Sequence, residues 1–172
     1  GTALTWDDVN GAQWCVSSSA TSSAGYVYPT MWLLENFDKK ISDLEKAPLP
    51  GSYSDIALNL AQGTCDVGVG YADIRRDYEP KWMTEWKRTE SIWAETDVIG
   101  VTEPIFNDTI SVSTVNPEMS EGFKKAIQEA FIEIAKTEAG AEAIKIYNHE
   151  GYEVVTDADY DGARRAAEVA KG

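Results

Sequence analysis

The chain has 172 residues, 43% hydrophobic and 26% charged, which is typical of a globular protein with one domain or two small lobes. Its formal net charge of −14 disfavours nucleic acid or an anionic membrane surface as a partner, because both require clustered lysine and arginine. No apolar run approaches the roughly 18 residues of a membrane span. With His149 as the only histidine, the chain offers little for a catalytic triad or a multi-histidine metal site.

The first hundred residues predict strands alternating with helices. An apolar residue before Thr5 and an acid three positions after it indicate a helix start, and Pro29 indicates either a kink or a late start of the helix that contains it. In chain order the predicted elements are a short helix from Thr5, a buried strand at 13–16, a polar loop at 17–23, a helix at 24–37, a turn-rich segment at 46–54, a helix at 54–62 that stops at Gly63, a buried strand at 65–71, an irregular or helical segment at 73–86 and a strand at 91–101.

The remaining residues continue the alternation of strands and helices. In chain order they predict a strand at 109–114, a long helix at 119–137, a second helix at 139–147, a short strand at 152–155 and a terminal helix at 160–170. Strands alternating with helices predict an α/β fold, built on a mostly parallel sheet with helices packed on its faces.

The two cysteines, Cys15 and Cys65, leave two alternatives open. They form one disulfide, or both are small buried hydrophobic side chains. Each lies in a run predicted as an interior strand, and this position favours the second alternative. Neither has neighbours at the spacing of metal ligands, so no metal site is predicted around them.

The order of strand, hydroxyl-rich loop, glycine and helix at 21–25 predicts an anion-binding site. The first N–H groups of a helix have no partner inside it, and the helix dipole places partial positive charge there. Hydroxyls add neutral donors, and Gly25 lets the backbone approach an oxygen closely. Such a site needs no lysine or arginine, in keeping with the acidic composition. Taken alone, the segment fits an ordinary helix cap better than an anion site. The residues concerned are Thr21, Ser22, Ser23, Ala24 and Gly25.

Four segments in chain order resemble the phosphate, phosphite and phosphonate substrate-binding proteins of ABC transporters, and together they cover nearly the whole chain. They are Thr-Ser-Ser-Ala-Gly-Tyr-x-x-Pro at 21–29, Gly-Ser-Tyr-Ser-Asp at 51–55 with Gly-x-x-Asp-Val-Gly at 63–68, Thr-Glu-Pro-Ile-Phe-Asn-Asp at 102–108, and Glu-Gly-Tyr at 150–152 with Asp-Tyr-Asp at 159–161. The resemblance implies the fold of type II periplasmic binding proteins, a two-lobed α/β fold.

The resemblance adds Tyr53 and Asp108 to the expected ligand-binding residues of the loop at 21–25. Tyr53 stands where the family usually has a ligand-contacting histidine, so it can donate a hydrogen bond but supplies no positive charge. Ala24 stands where a third hydroxyl is common. Asp108 ends the third motif, and its carboxylate can accept a hydrogen bond only from a protonated ligand oxygen. It would therefore select a monoprotonated phosphate-like group over sulfate.

The resemblance also implies the organisation and the function of the protein. Residues 11–101 are expected to form the second lobe, and residues 1–10 and 102–172 the crossover and the C-terminal part of the first lobe, whose N-terminal part is expected to lie outside this chain. The expected function is capture of a small oxyanion for an ABC permease, without catalysis and without a cofactor. The expected location is periplasmic or extracellular, on a lipid anchor outside this chain.

Three other interpretations remain open. Residues 157–168 match the calcium-loop pattern Asp-x-Asp-x-Asp-Gly-x5-Glu, but a strand is predicted before them where an entering helix is needed, and Arg164 replaces the usual apolar residue. A hydrolase that uses the serine-rich loop would need a positioned base, and the sequence shows none. A sensor or interaction domain of the same fold is the third alternative.

Overall fold

The computed structural model describes residues 4–106, 109–113, 115–145 and 149–169. The chain divides into two compact units. The first comprises Gly1–Ile105 together with Asp161–Gly172, and the second comprises Phe106–Tyr160. The lobe boundary expected between residues 101 and 102 remains a prediction. None of the described helices has the length and apolar character that crossing a membrane requires.

A parallel sheet of three strands forms the centre of the first unit. The strands are β1 (Trp14–Ser17), β2 (Leu49–Gly51) and β3 (Val67–Gly68), and their order across the sheet is β2-β1-β3. In β1, Cys15 lies opposite Leu49 of β2 on one side and Gly68 of β3 on the other. This sheet with its flanking helices confirms the predicted α/β class. Because all three strands run in one direction, their carboxyl ends meet at a single edge.

Helices connect the strands and continue beyond them. In chain order they are α1 (Trp6–Asn10), α2 (Tyr28–Phe37), α3 (Tyr53–Ala61), α4 (Ile74–Thr84), α5 (Ile92–Glu95), α6 (Glu121–Ala135), α7 (Glu138–Ile144) and α8 (Asp161–Val169). A π-helical turn at Ser23–Val27 leads directly into α2, and 3-10 turns lie at Ile41–Asp43 and Asp157–Tyr160. Pro29 lies in the first turn of α2, so α2 itself starts late, at Tyr28, while the helical backbone already begins at Ser23 in the π-helical turn. Gly63 adopts φ +69° after α3, as a helix stop requires.

Strand β2 lies inside the segment that the sequence predicted as a turn. The sequence there argues against a strand, because it contains Pro48, Pro50 and Gly51, and proline has no backbone N–H to donate to a neighbouring strand. That argument applies to a central strand. Among the described residues, β2 lies at the edge of the sheet and pairs only with β1, so Pro50 costs no ladder hydrogen bond on its outer side.

Both faces of β1 are buried, as expected for the central strand of a parallel sheet. Trp14 and Val16 pack in a cluster that includes Leu33 of α2. Cys15 points to the opposite face and packs against Ile56 of α3 and Cys65. Cys15 and Cys65 form a disulfide with their Cα atoms 5.9 Å apart. The interior positions of both residues were predicted correctly, but the preference for two free cysteines was wrong.

The predicted strand at 91–101 is wrong, because its first part is helix α5. The Ser91 hydroxyl accepts a hydrogen bond from the Ala94 N–H and caps the helix. Ile92 is buried beside Trp82, and the Glu95 carboxylate accepts from the Trp82 indole N–H at 2.7 Å. Side-chain contacts with α4 therefore fix a helical turn that the β-branched composition did not indicate.

The second unit contains α6 and α7, each capped by a hydroxyl, that of Ser120 in α6 and that of Thr137 in α7. The predicted strands at 109–114 and 152–155 are absent from the described residues 109–113 and 152–155. A strand needs a hydrogen-bonded neighbour, and neither segment has one within the part of this unit that the structure describes. Phe131 of α6 instead packs edge-on against Tyr152, with ring centroids 5.6 Å apart.

The C-terminal helix α8 belongs to the first unit and packs behind the start of α2. Ala166 is buried in a cluster with Val27 and Tyr28. Arg165 donates two hydrogen bonds to the Glu103 carboxylate, at 2.9 and 3.0 Å. This helix is therefore held to the end of the π-helical turn and the start of α2 by apolar contacts, and to Glu103 by an ion pair.

Candidate functional site

The carboxyl ends of the three parallel strands carry the predicted site residues of the first unit. Ser17 ends β1 and opens the hydroxyl loop (residues 17–23), which leads into the π-helical turn. Gly51 ends β2 and is followed by Tyr53, the first residue of α3. β3 is followed by Tyr71. This edge of the sheet is where ligands bind in open α/β folds, so the topology alone brings these residue types together.

Backbone and hydroxyl contacts fix the hydroxyl loop against the strand ends. The Ser18 N–H donates to the carbonyl of Gly51 at 2.9 Å, which extends the β1–β2 pairing by one residue. The Ser19 N–H donates to the Ser17 hydroxyl oxygen at 3.1 Å, and the Ser22 N–H donates to the Ser19 carbonyl at 3.0 Å. The loop is therefore held by its own donors and acceptors before it reaches the turn.

The π-helical turn leaves its first backbone donors directed away from its own carbonyls. The N–H groups of Tyr26 and Val27 both donate to the Ser22 carbonyl at 3.0 Å. The three amides before them, those of Ser23, Ala24 and Gly25, are first-turn donors without a partner inside the helix, and they donate to no group in the described part of the chain.

Ser22 and Tyr53, both half-buried, meet at the sheet edge. The Ser22 hydroxyl lies 3.2 Å from the Tyr53 hydroxyl, and either can donate. Ser22 occupies the cap position of the turn, yet its side chain makes no cap hydrogen bond. The hydroxyl that would ordinarily close a helix end is therefore turned toward a residue that follows the neighbouring strand.

Tyr53 is in turn supported by Tyr71. The two rings pack edge-to-face, with centroids 5.0 Å apart and planes at 82°. The Tyr71 hydroxyl donates to the Asp77 carboxylate of α4 at 2.8 Å. Burial, together with this hydrogen bond and the nearby negative charge of Asp77, raises the pKa of Tyr71 well above its ordinary value. The Tyr71 hydroxyl is therefore neutral and donating throughout the physiological pH range.

Gly25 has a packing role that the sequence did not predict. A Cβ at this position would lie 2.5 Å from the Ser17 Cβ and 2.8 Å from the Ser22 hydroxyl oxygen. The missing side chain allows the turn to pack directly on the end of β1. Close approach of a ligand oxygen to this backbone is a separate prediction.

The predicted site residues fall into three groups. Ser22 and Tyr53 are brought into contact, and Ser23, Ala24 and Gly25 form the turn beside them. Thr21 is exposed and pairs with the Ser19 hydroxyl at 2.9 Å. Asp108 lies outside the described residues. The assignment of all seven to a ligand, Thr21 and Asp108 included, remains a prediction.

Ser17, Ser19 and Tyr71 were not predicted from the sequence. The predicted strand at 65–71 included Tyr71 as its last residue, whereas β3 ends at Gly68 and leaves Tyr71 in the loop that follows it. Residues that follow parallel strands share one edge of the sheet, so the shorter strand places Tyr71 beside the residues that follow β1 and β2. Ser17 and Ser19 lie within the predicted loop but were not singled out there.

Charge distinguishes this helix start from the others. In the part of the chain that the structure describes, the turn at Ser23–Val27 and the helix α2 that continues it have no acidic residue in their first turn. Every other described helix or 3-10 turn has at least one. The first-turn acids are Asp7, Asp8, Asp43, Asp55, Asp77, Glu95, Glu121, Glu138, Asp157, Asp159 and Asp161.

The calcium-loop pattern gains no support from the structure. The Asp159 carboxylate accepts from the Thr156 N–H and hydroxyl, both at 2.7 Å, and these bonds lower its pKa. Asp161 pairs with Arg164 at 2.6 Å. Within the described ranges, no three histidine, cysteine, aspartate or glutamate side chains lie close enough together to hold a metal ion.

A parallel sheet flanked by helices, with hydroxyl-bearing loops at its carboxyl edge, defines the chain as an α/β domain of the periplasmic-binding-protein type. The chain belongs to the family described as ABC transporter, phosphonate, periplasmic substrate-binding protein, which it matches over residues 2–160. The recognition made from the sequence motifs is thus confirmed. This is a family of solute-binding proteins and not of enzymes.

A curated relative agrees with this assignment. The chain is 28% identical over 167 residues to the phosphate-import protein PhnD of Mycolicibacterium smegmatis (strain ATCC 700084 / mc(2)155). The match covers 86% of this chain and 48% of the relative, so the chain spans about half the length of the curated relative that it matches. No solved structure matches the chain significantly.

Proposed function

We propose that this chain is part of the extracytoplasmic solute-binding component of an ABC importer and that it binds a small phosphonate-, phosphite- or phosphate-like oxyanion. One observation carries the proposal. In a chain with a net charge of −14, the helix start at Ser22 has neither a side-chain cap nor a first-turn acid. The partial positive charge of this helix end is therefore not neutralised by the chain itself.

The proposed donors are all neutral. They are the N–H groups of Ser23, Ala24 and Gly25, with the hydroxyls of Ser22 and Tyr53, which already lie 3.2 Å apart. Oriented amides and hydroxyls at a helix start bind an oxyanion without a cationic side chain. The exposed hydroxyls of Thr21 and Ser23 are further donors within the same loop.

Binding without catalysis is part of the proposal. A serine nucleophile needs a base within hydrogen-bond reach. The Ser22 hydroxyl instead has the hydroxyl of Tyr53 as its neighbour, and tyrosine is a poor base while it is protonated. The chain is therefore expected to release its ligand unchanged to a permease.

Asp108 enters the proposal on sequence grounds. If its carboxylate faces the ligand, it accepts a hydrogen bond from a protonated phosphate-type oxygen and repels a fully ionised one. Phosphate, phosphite and phosphonate carry such a proton near neutral pH, and sulfate does not. The family supports a location outside the cytoplasm and a permease as partner. Attachment to the membrane by a lipid anchor is a further part of the proposal.

Isothermal titration calorimetry with phosphate, phosphite, methylphosphonate and sulfate tests the proposal. We expect at least one phosphorus oxyanion to bind and sulfate to bind much more weakly. Ser22→Ala combined with Ser23→Ala removes two neutral hydrogen bonds, and we expect the affinity to fall by about tenfold or more. Turnover of any of these compounds would contradict the binding-only assignment.

Ser42→Ala provides the matched control. Ser42 is an exposed serine in the 3-10 turn Ile41–Asp43 of the same unit, so the substitution makes the same chemical change away from the sheet edge. Its affinity is expected to equal that of the unsubstituted chain. Unchanged affinity in the Ser22/Ser23 double variant would refute the site assignment, whichever anion binds.

A further inference from the structure

We propose that Tyr71 is a positioning residue for this site, and that its ring holds Tyr53 in the orientation that presents the Tyr53 hydroxyl beside Ser22. The inference rests on the proposed function, because it concerns how the same site is organised. Neither the family assignment nor the sequence motifs single out Tyr71. Three contacts carry it, and together they link the residues that follow β1, β2 and β3.

The first contact defines what has to be positioned. Tyr53 is the first residue of α3, and its side chain is only half-buried. A tyrosine at the first position of a helix can turn its ring to solvent. The hydroxyl nevertheless lies 3.2 Å from the Ser22 hydroxyl oxygen, so some other contact selects this orientation.

The second contact supplies the selection. The Tyr71 ring meets the Tyr53 ring edge-to-face at 5.0 Å and 82°, the geometry that aromatic quadrupoles favour. A ring held in this way gives up its rotamer freedom before a ligand arrives, and that freedom is then not lost on binding. The expected consequence is a higher affinity that arises without any direct contact from Tyr71.

The third contact fixes Tyr71 itself. Its hydroxyl donates to the Asp77 carboxylate at 2.8 Å, and Asp77 lies in the first turn of α4. Asp77 also lies near Arg76, with a nitrogen–oxygen distance of 3.9 Å. The Tyr71 ring is thus held at its far end by a helix, and its edge is held against Tyr53.

A double-mutant cycle tests whether Tyr71 acts through Tyr53. The ligand is the phosphorus oxyanion that binds most tightly in the calorimetric panel. We expect Tyr53→Phe to weaken binding by about tenfold, as for one neutral hydrogen bond. We expect Tyr71→Leu to weaken it by about threefold to fivefold. In the Tyr53→Phe background, Tyr71→Leu should change the affinity by less than about twofold, because no hydroxyl remains to be positioned.

Two further variants separate positioning from general damage. Tyr71→Phe keeps the ring and loses the bond to Asp77, so it should restore most of the affinity lost in Tyr71→Leu. Phe37→Leu removes an edge-on contact of the same kind, with Trp32 at 5.6 Å and 76°, at the opposite end of α2 from the turn. It should leave the affinity unchanged. If Tyr71→Leu does not fold, Tyr71→Met, which also removes the ring, carries the same cycle.

The outcomes distinguish this inference from the proposed function. If the unsubstituted chain binds anions but Tyr71→Leu costs the same factor with and without the Tyr53 hydroxyl, or costs nothing, the positioning role is overturned and the site assignment stands. If the unsubstituted chain binds no anion in the panel, the proposed function fails. Tyrosine ring resonances in selectively labelled protein then still decide the geometry, because Tyr71→Leu must shift the Tyr53 signals if the rings are paired without ligand.

Discussion

Two helix starts at the same sheet edge use a serine in opposite ways. Ser22 follows β1 and Ser52 follows β2, and both lie in extended backbone directly before a helical turn. At Ser52, the hydroxyl accepts from the Asp55 N–H at 3.2 Å and the Asp55 carboxylate accepts from the Ser52 N–H at 2.8 Å. At Ser22, no such reciprocal cap exists.

The difference lies three residues further along. A reciprocal cap needs an acid or amide at the third helical position. Asp55 fills that position after Ser52, and Gly25 occupies it after Ser22. Any side chain at Gly25 would collide with Ser17 and with the Ser22 hydroxyl itself. The packing of the turn on β1 therefore excludes a capping carboxylate at this position. Because the Ser22 hydroxyl is also turned toward Tyr53, the helix start has no side-chain cap.

The largest effect is expected when the disulfide in the core beside the sheet is removed, because both helix starts follow strands of that sheet. The disulfide ties Cys15 of β1 to Cys65 ahead of β3 and closes a loop with a sequence separation of 50. Replacing both cysteines by alanine frees the unfolded chain, and the expected loss of stability is about 4 kcal/mol. Thermal unfolding should detect this as a midpoint lowered by about 10 °C.

The cysteine-free variant also tests whether the open helix start at Ser22 depends on the disulfide. A crosslink that acts on the unfolded chain leaves the folded site unchanged, so anion affinity measured well below the unfolding midpoint should stay within about twofold. Met31→Leu, a conservative change in the cluster that α2 forms with α8, is the control for ordinary core perturbation. A lost affinity in a folded, cysteine-free chain would show that the disulfide shapes the open start.

The second prediction gives the helix start at Ser22 an acidic residue in its first turn, as the start at Ser52 already has. Ala24→Asp places a carboxylate in the first turn, where the helix dipole favours it. At roughly 5 Å from a bound anion, and with an effective dielectric constant near 20, the repulsion is about 3 kcal/mol. That corresponds to an affinity about 100-fold lower.

The control for this change is Ala24→Asn, which has nearly the same shape without the charge. Ala24→Asn should weaken binding by much less than Ala24→Asp. The difference in anion affinity between the two variants should become smaller as salt is added. The unfolding midpoint of Ala24→Asp should equal or slightly exceed that of the unsubstituted chain. If calorimetry shows the two variants binding equally well, the anion does not lie at this helix start.

Local rules predicted much of this architecture from the sequence. The cap at Thr5 and the stop at Gly63 each depend on the residue itself and its near neighbours, and the structure confirms both. The candidate anion loop was proposed by the same means, from the order of strand, hydroxyls, glycine and helix. Its proposed chemistry depends on first-turn amides, which lack a partner inside any helix.

Features that depend on distant partners were beyond this reasoning. β2 became a strand because β1 offers it an edge, and residues 92–95 became helical because Trp82 buries Ile92. The Cys15–Cys65 disulfide depends on the placement of two strand-associated segments in one core. Tyr71 could be connected with Tyr53 only once the order of the strands was known, since 18 positions of sequence separate them.

The smallest effect is expected at the closed start. Hydrogen bonds from the Ser52 hydroxyl and then from its N–H lower the pKa of Asp55 below its ordinary value. A carboxyl with a lowered folded-state pKa contributes stability that is present above its unfolded-state pKa and is lost as the pH falls through the folded-state value. Asp55→Asn should remove this contribution to stability. Between about pH 5 and pH 2, the denaturant concentration at the unfolding midpoint should therefore change less in the Asp55→Asn variant than in the unsubstituted chain.

Asp8→Asn is the matched control, because Thr5 and Asp8 form the same reciprocal cap in α1 and the same hydrogen bonds lower the pKa of Asp8. Both variants should lose less stability than the unsubstituted chain when the pH is lowered from about 5 to about 2. Only Asp55→Asn removes a negative charge from the edge that carries Ser22, so it alone should raise anion affinity, by about threefold at most because Asp55 is exposed and screened. An equal rise in both variants would instead reflect the net charge of the chain, and the contrast between the two serine starts would then have no bearing on binding.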